Sequence, residues 1–136
     1  MTLLSFPKCG RTWLKLMTYA ACDVGFHISH KGPKPDRLYF LLTRHPFDVA
    51  VSRYHHCHSR FLPPHAEHFA GTLAEFIETE FHPILQRYRH FYHHRDQIVD
   101  WARYEDMVLR PEKVLIQFLT SLGVTDFSKV PEAVEM

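Results

Sequence analysis

A short apolar run that breaks on proline and glycine, then restarts at helical spacing, constrains this chain more than any other feature. Leu3, Leu4 and Phe6 form the run, Pro7 and Gly10 break it, and Trp13, Met17, Ala20, Ala21 and Val24 then recur at intervals that suit one helical face. The order predicts a strand over Thr2–Phe6, a turn, and a helix from Gly10 to about Val24, ended by Asp23 and Gly25. Where a buried strand turns into a helix, free backbone N–H groups and the positive end of the helix dipole converge. Lys8 sits in that turn, so Ser5–Trp13 reads as a loop suited to a phosphate or sulfate group. The alternative is an ordinary strand-to-helix turn with a surface lysine.

The same alternation continues along the chain. Phe26–Ser29 reads as a short strand, followed by a polar loop over 30–35. Leu38–Thr43 is a continuous apolar run too short for a helix, which suits a strand buried on both faces. Pro46 fits a first helical position, and a helix is expected from there to about His58, with Val49, Ala50 or Val51, and Tyr54 facing inward. Ser59–Gly71 is rich in Pro and His without apolar periodicity and reads as a mobile loop; Arg60, Phe61 and Phe69 suggest that it covers a partly aromatic or anionic molecule. Thr72 and Glu75 form a capping box for a short helix to Glu80, and Pro83 is expected to restart another carrying Ile84, Leu85, Tyr88 and Tyr92. Ile98–Tyr104 reads as a third principal strand, and a last helix from Pro111 buries Val114, Leu115, Phe118, Leu119 and Leu122 before Gly123. Strands interleaved with helices predict one α/β domain over 1–136, three-layer α/β/α with a mostly parallel sheet. Ligands of such sheets bind at the carboxyl ends of the strands, which would put Lys8, Arg44 and Tyr104 on one rim.

Composition narrows the partners. A net charge of +1 over 136 residues supplies no global basic field, so nucleic acid is not expected and an anion site must be local. The three cysteines, Cys9, Cys22 and Cys57, are scattered without metal-finger spacing, which favours a reducing compartment. No secretory leader precedes the first motif and no apolar run approaches the ~20 residues of a membrane span, so a soluble, cytoplasmic protein is expected, with no membrane partner.

The first loop does not have the spacing of a nucleoside triphosphatase loop, since Lys8 precedes Gly10 instead of following it. It resembles the 5′-phosphosulfate loop of the sulfotransferases, usually Tyr-Pro-Lys-Ser-Gly-Thr-Thr-Trp, with Cys9 in place of Ser and Arg11 in place of the first Thr. Arg44 to His55 resembles the 3′-phosphate segment of the same family, Arg-(Asn/Asp)-Pro-(Lys/Arg)-Asp-Val-(Ala/Leu)-Val-Ser-Tyr-Tyr-(His/Tyr), and Tyr104-Glu105-Asp106-Met107 resembles its Tyr-Glu-Asp-Met/Leu segment.

The resemblance implies a P-loop-like α/β fold and a metal-free sulfotransferase that moves the sulfonate of 3′-phosphoadenosine-5′-phosphosulfate (PAPS) to a hydroxyl or amine of a small-molecule acceptor. It implies that Lys8, Cys9, Gly10, Arg11, Thr12 and Trp13 hold the 5′ end and the adenine, that Arg44 and Ser52 hold the 3′-phosphate, and that Tyr104 contacts adenine. Lys8 is also implied as a catalytic cation. The family's base lies between the two phosphate loops in Lys-Thr-His-Leu-Pro, an interval in which Ile28-Ser29-His30-Lys31 makes His30 the implied base and His27 a nearby competitor. Glu105 and Asp106 read as structural.

Family members normally continue into an Arg-Lys-Gly segment that closes over the nucleotide. This chain stops at Met136, so a small or C-terminally truncated member is expected, with nucleotide binding better supported than turnover. Two other readings stand beside it: a non-catalytic nucleotide-binding remnant, and a His-rich metal-binding or interaction module built on His55-His56-Cys57-His58, whose histidines otherwise read as solvated helix surface.

Overall fold

The structure, a computed structural model, describes residues 1–58 and 69–136. β1 (Thr2–Ser5) is buried along its whole length, as a strand covered on both faces must be. β2 (His27–Ser29) pairs with one side of β1 and β3 (Tyr39–Thr43) with the other; β4 (Ile98–Arg103) pairs with β3. The order is β2-β1-β3-β4 and every pairing is parallel, so the sheet, expected to be mostly parallel, is wholly so among the described residues. Parallel neighbours need crossovers, and helices on both faces supply them.

α1 (Arg11–Ala21), α5 (Pro111–Ser121) and α6 (Val130–Val134) pack together. Leu3 and Phe40 belong to the core they build, with Phe40 edge-on to Phe118 at 4.9 Å between ring centres. Leu4 and Tyr39 point to the opposite face, against Phe91. Phe91 belongs to α3 (Leu73–His93), which covers that face and packs on α2 (Pro46–Cys57).

Three expectations are corrected. The two short helices expected around Pro83 are one, α3, opened by the Thr72/Glu75 capping box. Pro83 removes one helical hydrogen bond and costs about 3 kcal/mol in a helix interior. The buried stripe of Phe76, Ile84 and Phe91 runs straight through it, and each such side chain stabilises by about 1.5 to 3 kcal/mol. Pro83 and Thr79, whose carbonyl loses its donor, are both exposed, so the missing bond lies on the solvent side of the helix. α1 stops at Ala21 instead of near Val24, because Cys22 is already extended. β4 stops at Arg103, and Tyr104 begins α4 (Tyr104–Leu109), which turns its ring back over the first loop. The short α6, packed on α1 and α5, had no sequence counterpart.

No helix among the described residues is long and apolar enough to cross a membrane. Of the loop expected over Ser59–Gly71, all but 69–71 lies outside the described residues, and Arg60 and Phe61 with it. Phe69 packs edge-on against Phe76, 5.0 Å between centres.

Candidate functional site

The β1–α1 turn is tightened by two left-handed residues, Lys8 at φ 71° and Gly10 at φ 87°. Gly10 is required twice over. Its conformation disfavours a side chain, and a Cβ there would lie 2.5 Å from Cδ2 of Tyr104 and 2.6 Å from Cε of Met107. Gly10 is also the N-cap of α1 and supplies no side-chain cap, so the first-turn N–H groups stay available. The Cys9 side chain turns inward instead. It is fully buried, with Sγ 3.7 Å from the Tyr88 hydroxyl, and burial pushes its thiol up to about 11, so it stays protonated and is not a cleft group.

Tyr88 ties two loops together. Its hydroxyl donates to the Arg44 carbonyl at 2.5 Å and accepts the Arg44 N–H at 3.2 Å. Its one proton being spent on Arg44, the remaining lone pair faces Cys9, whose S–H is the donor of that contact. The Arg44 side chain is fixed as well: Nη1 donates to the Lys8 carbonyl at 3.0 Å, and the guanidinium lies 4.2 Å from the centre of the Tyr104 ring. Glu105 accepts the His45 N–H at 2.8 Å, anchoring the β3–α2 turn to α4. Asp106 pairs with Arg103 at 2.9 Å.

These elements enclose a cleft of about 810 Å³, within the usual range of roughly 300 to 1,000 Å³ for small-molecule sites. Lys8, Gly10, Arg11, Thr12, Trp13, Arg44, Ser52 and Tyr104 all line it, so most of the residues singled out from sequence share one surface. Trp13 and Tyr104 meet edge-to-face in its wall, 6.5 Å between centres. Lys8, Arg11, Arg44 and Arg53 bring positive charge to the wall, and among the described residues no Asp or Glu lines it. Nε of Arg44 and Nε of Arg53 are buried without an acceptor among the described residues. A cleft with surplus cationic donors and no carboxylate suits an anion.

His30 is not in the cleft wall. It lies one side chain away, with Nδ1 3.1 Å from Nη1 of Arg11. Burial, and then the charges of Arg11, Lys31 and Arg87, hold its imidazole below the ordinary histidine range. His27 is exposed on β2. His58 makes a 2.9 Å contact with the Phe69 carbonyl and stacks on Tyr54, and no group of His, Cys, Asp and Glu able to hold a metal ion occurs among the described residues.

No family model matches the chain, and no curated protein matches its sequence. Solved structures do match. Mouse sulfotransferase SULT7A1, complexed with 3′-phosphoadenosine-5′-phosphate (PAP), superposes with a TM-score of 0.80 at 18% identity, over 99% of this chain and 62% of that one. Retinol dehydratase in complex with retinol and PAP gives 0.74 at 13% identity, over 98% of this chain and 63% of that one. The chain has the sulfotransferase fold. It spans less than two-thirds of the length of either neighbour.

Sequence reading missed three groups of this sulfotransferase-fold cleft: Arg53, His56 and Cys57. Ser52 and His56, like Arg53 and Cys57, are four residues apart on α2, so one helical face carries all four into the wall. Arg53 was detectable, since it immediately follows Ser52 at a position where the family pattern has Tyr. Its guanidinium lies 5.5 Å from the Phe6 ring centre and is paired with Glu80 at 3.4 Å. Tyr88 carried no local signal, because its hydroxyl acts on residues 44 and 79 positions away.

Proposed function

We propose that this chain is a sulfotransferase-like domain that binds PAPS in the cationic cleft and transfers its sulfonate to a hydroxyl or amine of a small-molecule acceptor, with no metal ion. The observation that carries this reading is the convergence of four cations, with no carboxylate among the described residues, on a cleft whose wall includes Trp13 and Tyr104. In it Gly10, Thr12 and the first-turn N–H groups of α1 cradle the 5′ end, Arg44 and Ser52 hold the 3′-phosphate, and Trp13 and Tyr104 flank the adenine. The acceptor oxygen or nitrogen forms a bond to sulfur as the bond from sulfur to the bridging phosphate oxygen breaks. Lys8 stabilises the charge that develops on that oxygen, and His30 takes the acceptor's proton. A cytoplasmic setting agrees with three free cysteines.

A second reading is nucleotide binding without transfer. What favours it is the engagement of the His30 Nδ1 lone pair by Arg11, where the family pattern has Thr.

The identity of the nucleotide tests both readings. Hydrogen bonds to a charged group contribute about 1.5 to 3 kcal/mol each, so PAP should bind at least about tenfold more tightly than ADP, which carries similar charge in the wrong place. Arg44→Ala should erase most of that preference and leave ADP little changed. Competition titration checks it, and equal affinities in the native chain would sink the assignment. Sulfonate transfer by the native chain to a phenol or amine then separates an enzyme from a binder.

A further inference from the structure

Next to the nucleotide cleft, the surface around His30 carries a second set of cations. Arg11 approaches from the first residue of α1, Lys31 follows in the chain, and Arg87 reaches over from α3 with Nη1 3.5 Å from the His30 carbonyl oxygen. His90, on the same stretch of α3, lies so close to Gly32 that a Cβ there would sit 2.8 Å from its Nε2. The ion pairs among the described residues are Arg53–Glu80 and Arg103–Asp106, and neither neutralises this cluster. The charges that act on His30 are those of Arg11, Lys31 and Arg87, all positive, and those acting on His90 are those of His94, Arg87 and His93.

A nucleotide does not account for all of them. Arg11 lines its cleft, whereas Lys31 and Arg87 do not. Cations left beside a reacting position repel one another until an anion joins them.

The contact to His30 makes the same point in chemical terms. A guanidinium has only N–H donors, so Nδ1 of His30 is the acceptor and the neutral ring carries its proton on Nε2. Held that way, neither ring nitrogen can take a proton. A negative group that draws Arg11 to itself returns the lone pair.

We propose that the acceptor of this site is itself an anion: a hydroxyl or amine compound bearing a carboxylate, sulfate or phosphate held by Arg11, Lys31 and Arg87 beside His30. The assignment rests on the sulfotransferase reading for the word acceptor, and the anion site can be tested without it.

The test compares charged and neutral ligands of matched shape on the PAP-saturated chain: 4-hydroxybenzoate against 4-hydroxybenzamide, and glucose 6-phosphate against glucose. Binding is followed through the His30 ring nitrogens by NMR. In at least one pair the anion should bind about tenfold or more tightly than its neutral partner at about 20 mM salt, and lose most of that advantage at about 0.5 M. It should also raise the His30 pKa by balancing the surrounding charge. The double variant Lys31→Ala/Arg87→Ala should lose the preference while binding PAP within about twofold of the native chain. Neutral ligands binding as tightly as the anions, or anions that leave His30 unmoved, would overturn the proposal. Failure to bind PAP would overturn the nucleotide reading instead, and the same titrations on the nucleotide-free chain would then decide the anion site alone.

Discussion

The two ends of the binding rim are built on opposite principles. At the Arg44 end the backbone and most side-chain polar groups already have partners, and Nε of Arg44 is the buried donor left over. The backbone of Arg44 is clamped by Tyr88, its guanidinium is bonded to the Lys8 carbonyl and lies on Tyr104, and Glu105 anchors the turn that follows. At the His30 end the arrangement is cation against cation, with an exposed histidine tied to Arg11 and no carboxylate among the described residues paired to the cluster. A pre-organised end loses little entropy when a ligand arrives, and therefore suits affinity. A frustrated end rearranges when the charge it lacks appears, and therefore suits chemistry that must wait for its substrate.

The largest effect that could break this division is on turnover. His30→Ala should lower sulfonate transfer by about 10² to 10⁴-fold, the usual contribution of a general base, with PAP affinity nearly intact. Lys8→Ala should lower transfer by roughly 10²-fold or more and weaken PAP as well. Steady-state transfer assays beside nucleotide titrations separate the two. A His30 variant with full turnover removes His30 from the chemistry and puts His27 next in line.

Tyr88→Phe sharpens the contrast at the opposite end, with a smaller effect. The change deletes only the hydroxyl and leaves the Arg44 N–H and C=O without their partner in a half-buried position. An unsatisfied buried group costs about 1 to 3 kcal/mol, which for a domain of this size lowers the thermal midpoint by roughly 3 to 10 °C. Because Tyr88 acts through Arg44, the preference for PAP over ADP should also shrink, although Tyr88 does not line the cleft. Thermal melting together with competition titration reads both. A variant that melts lower with its preference unchanged would make Tyr88 a purely structural residue.

This division also marks what could be read from the sequence. The Arg44 end belongs to local patterns: a buried apolar run, Pro46 at a helix start, and Ser52 two turns on. The loop from Phe6 to Trp13 is likewise a strand-to-helix transition with its glycine in place. What escaped was non-local or contrary to propensity. Pro83 marks a break by local rules, yet the stripe from Phe76 to Phe91 carries α3 through it. Tyr88 is one aromatic among many until the fold sets it beside Cys9 and Arg44. Arg53 lies inside the Arg44–His55 motif where the family pattern has Tyr, and only the cleft gives it meaning. The cations around His30 come from α1, the loop after β2, and α3, which no window on the sequence brings together.

The smallest effect concerns pH, and it probes the frustrated end directly. In the folded chain His30 is held below its ordinary pKa of 6.5 by burial and by Arg11, Lys31 and Arg87; His90 is lowered by burial and by His94, Arg87 and His93. Between the folded and unfolded pKa values the unfolded chain binds more protons, so stability rises with pH there. Their contribution is therefore complete above about pH 6.5 and is lost as the pH falls through the folded values. The carboxylates of Asp106 and Asp126 are lowered from 3.8, so their loss belongs to a more acidic window. The thermal midpoint should consequently fall on acidification from about pH 7.5 to about pH 5.5, and fall less in the variant His30→Gln/His90→Gln. Both histidines are exposed and solvent-screened, so the difference should be well below the Tyr88 shift. Sulfate, compared with chloride at equal ionic strength, should recover part of the loss at the acid end, because it supplies the charge the cluster lacks. A double variant with the same pH dependence as the native chain, and no sulfate effect in either, would mean that the cations around His30 are spread too far into solvent to act together.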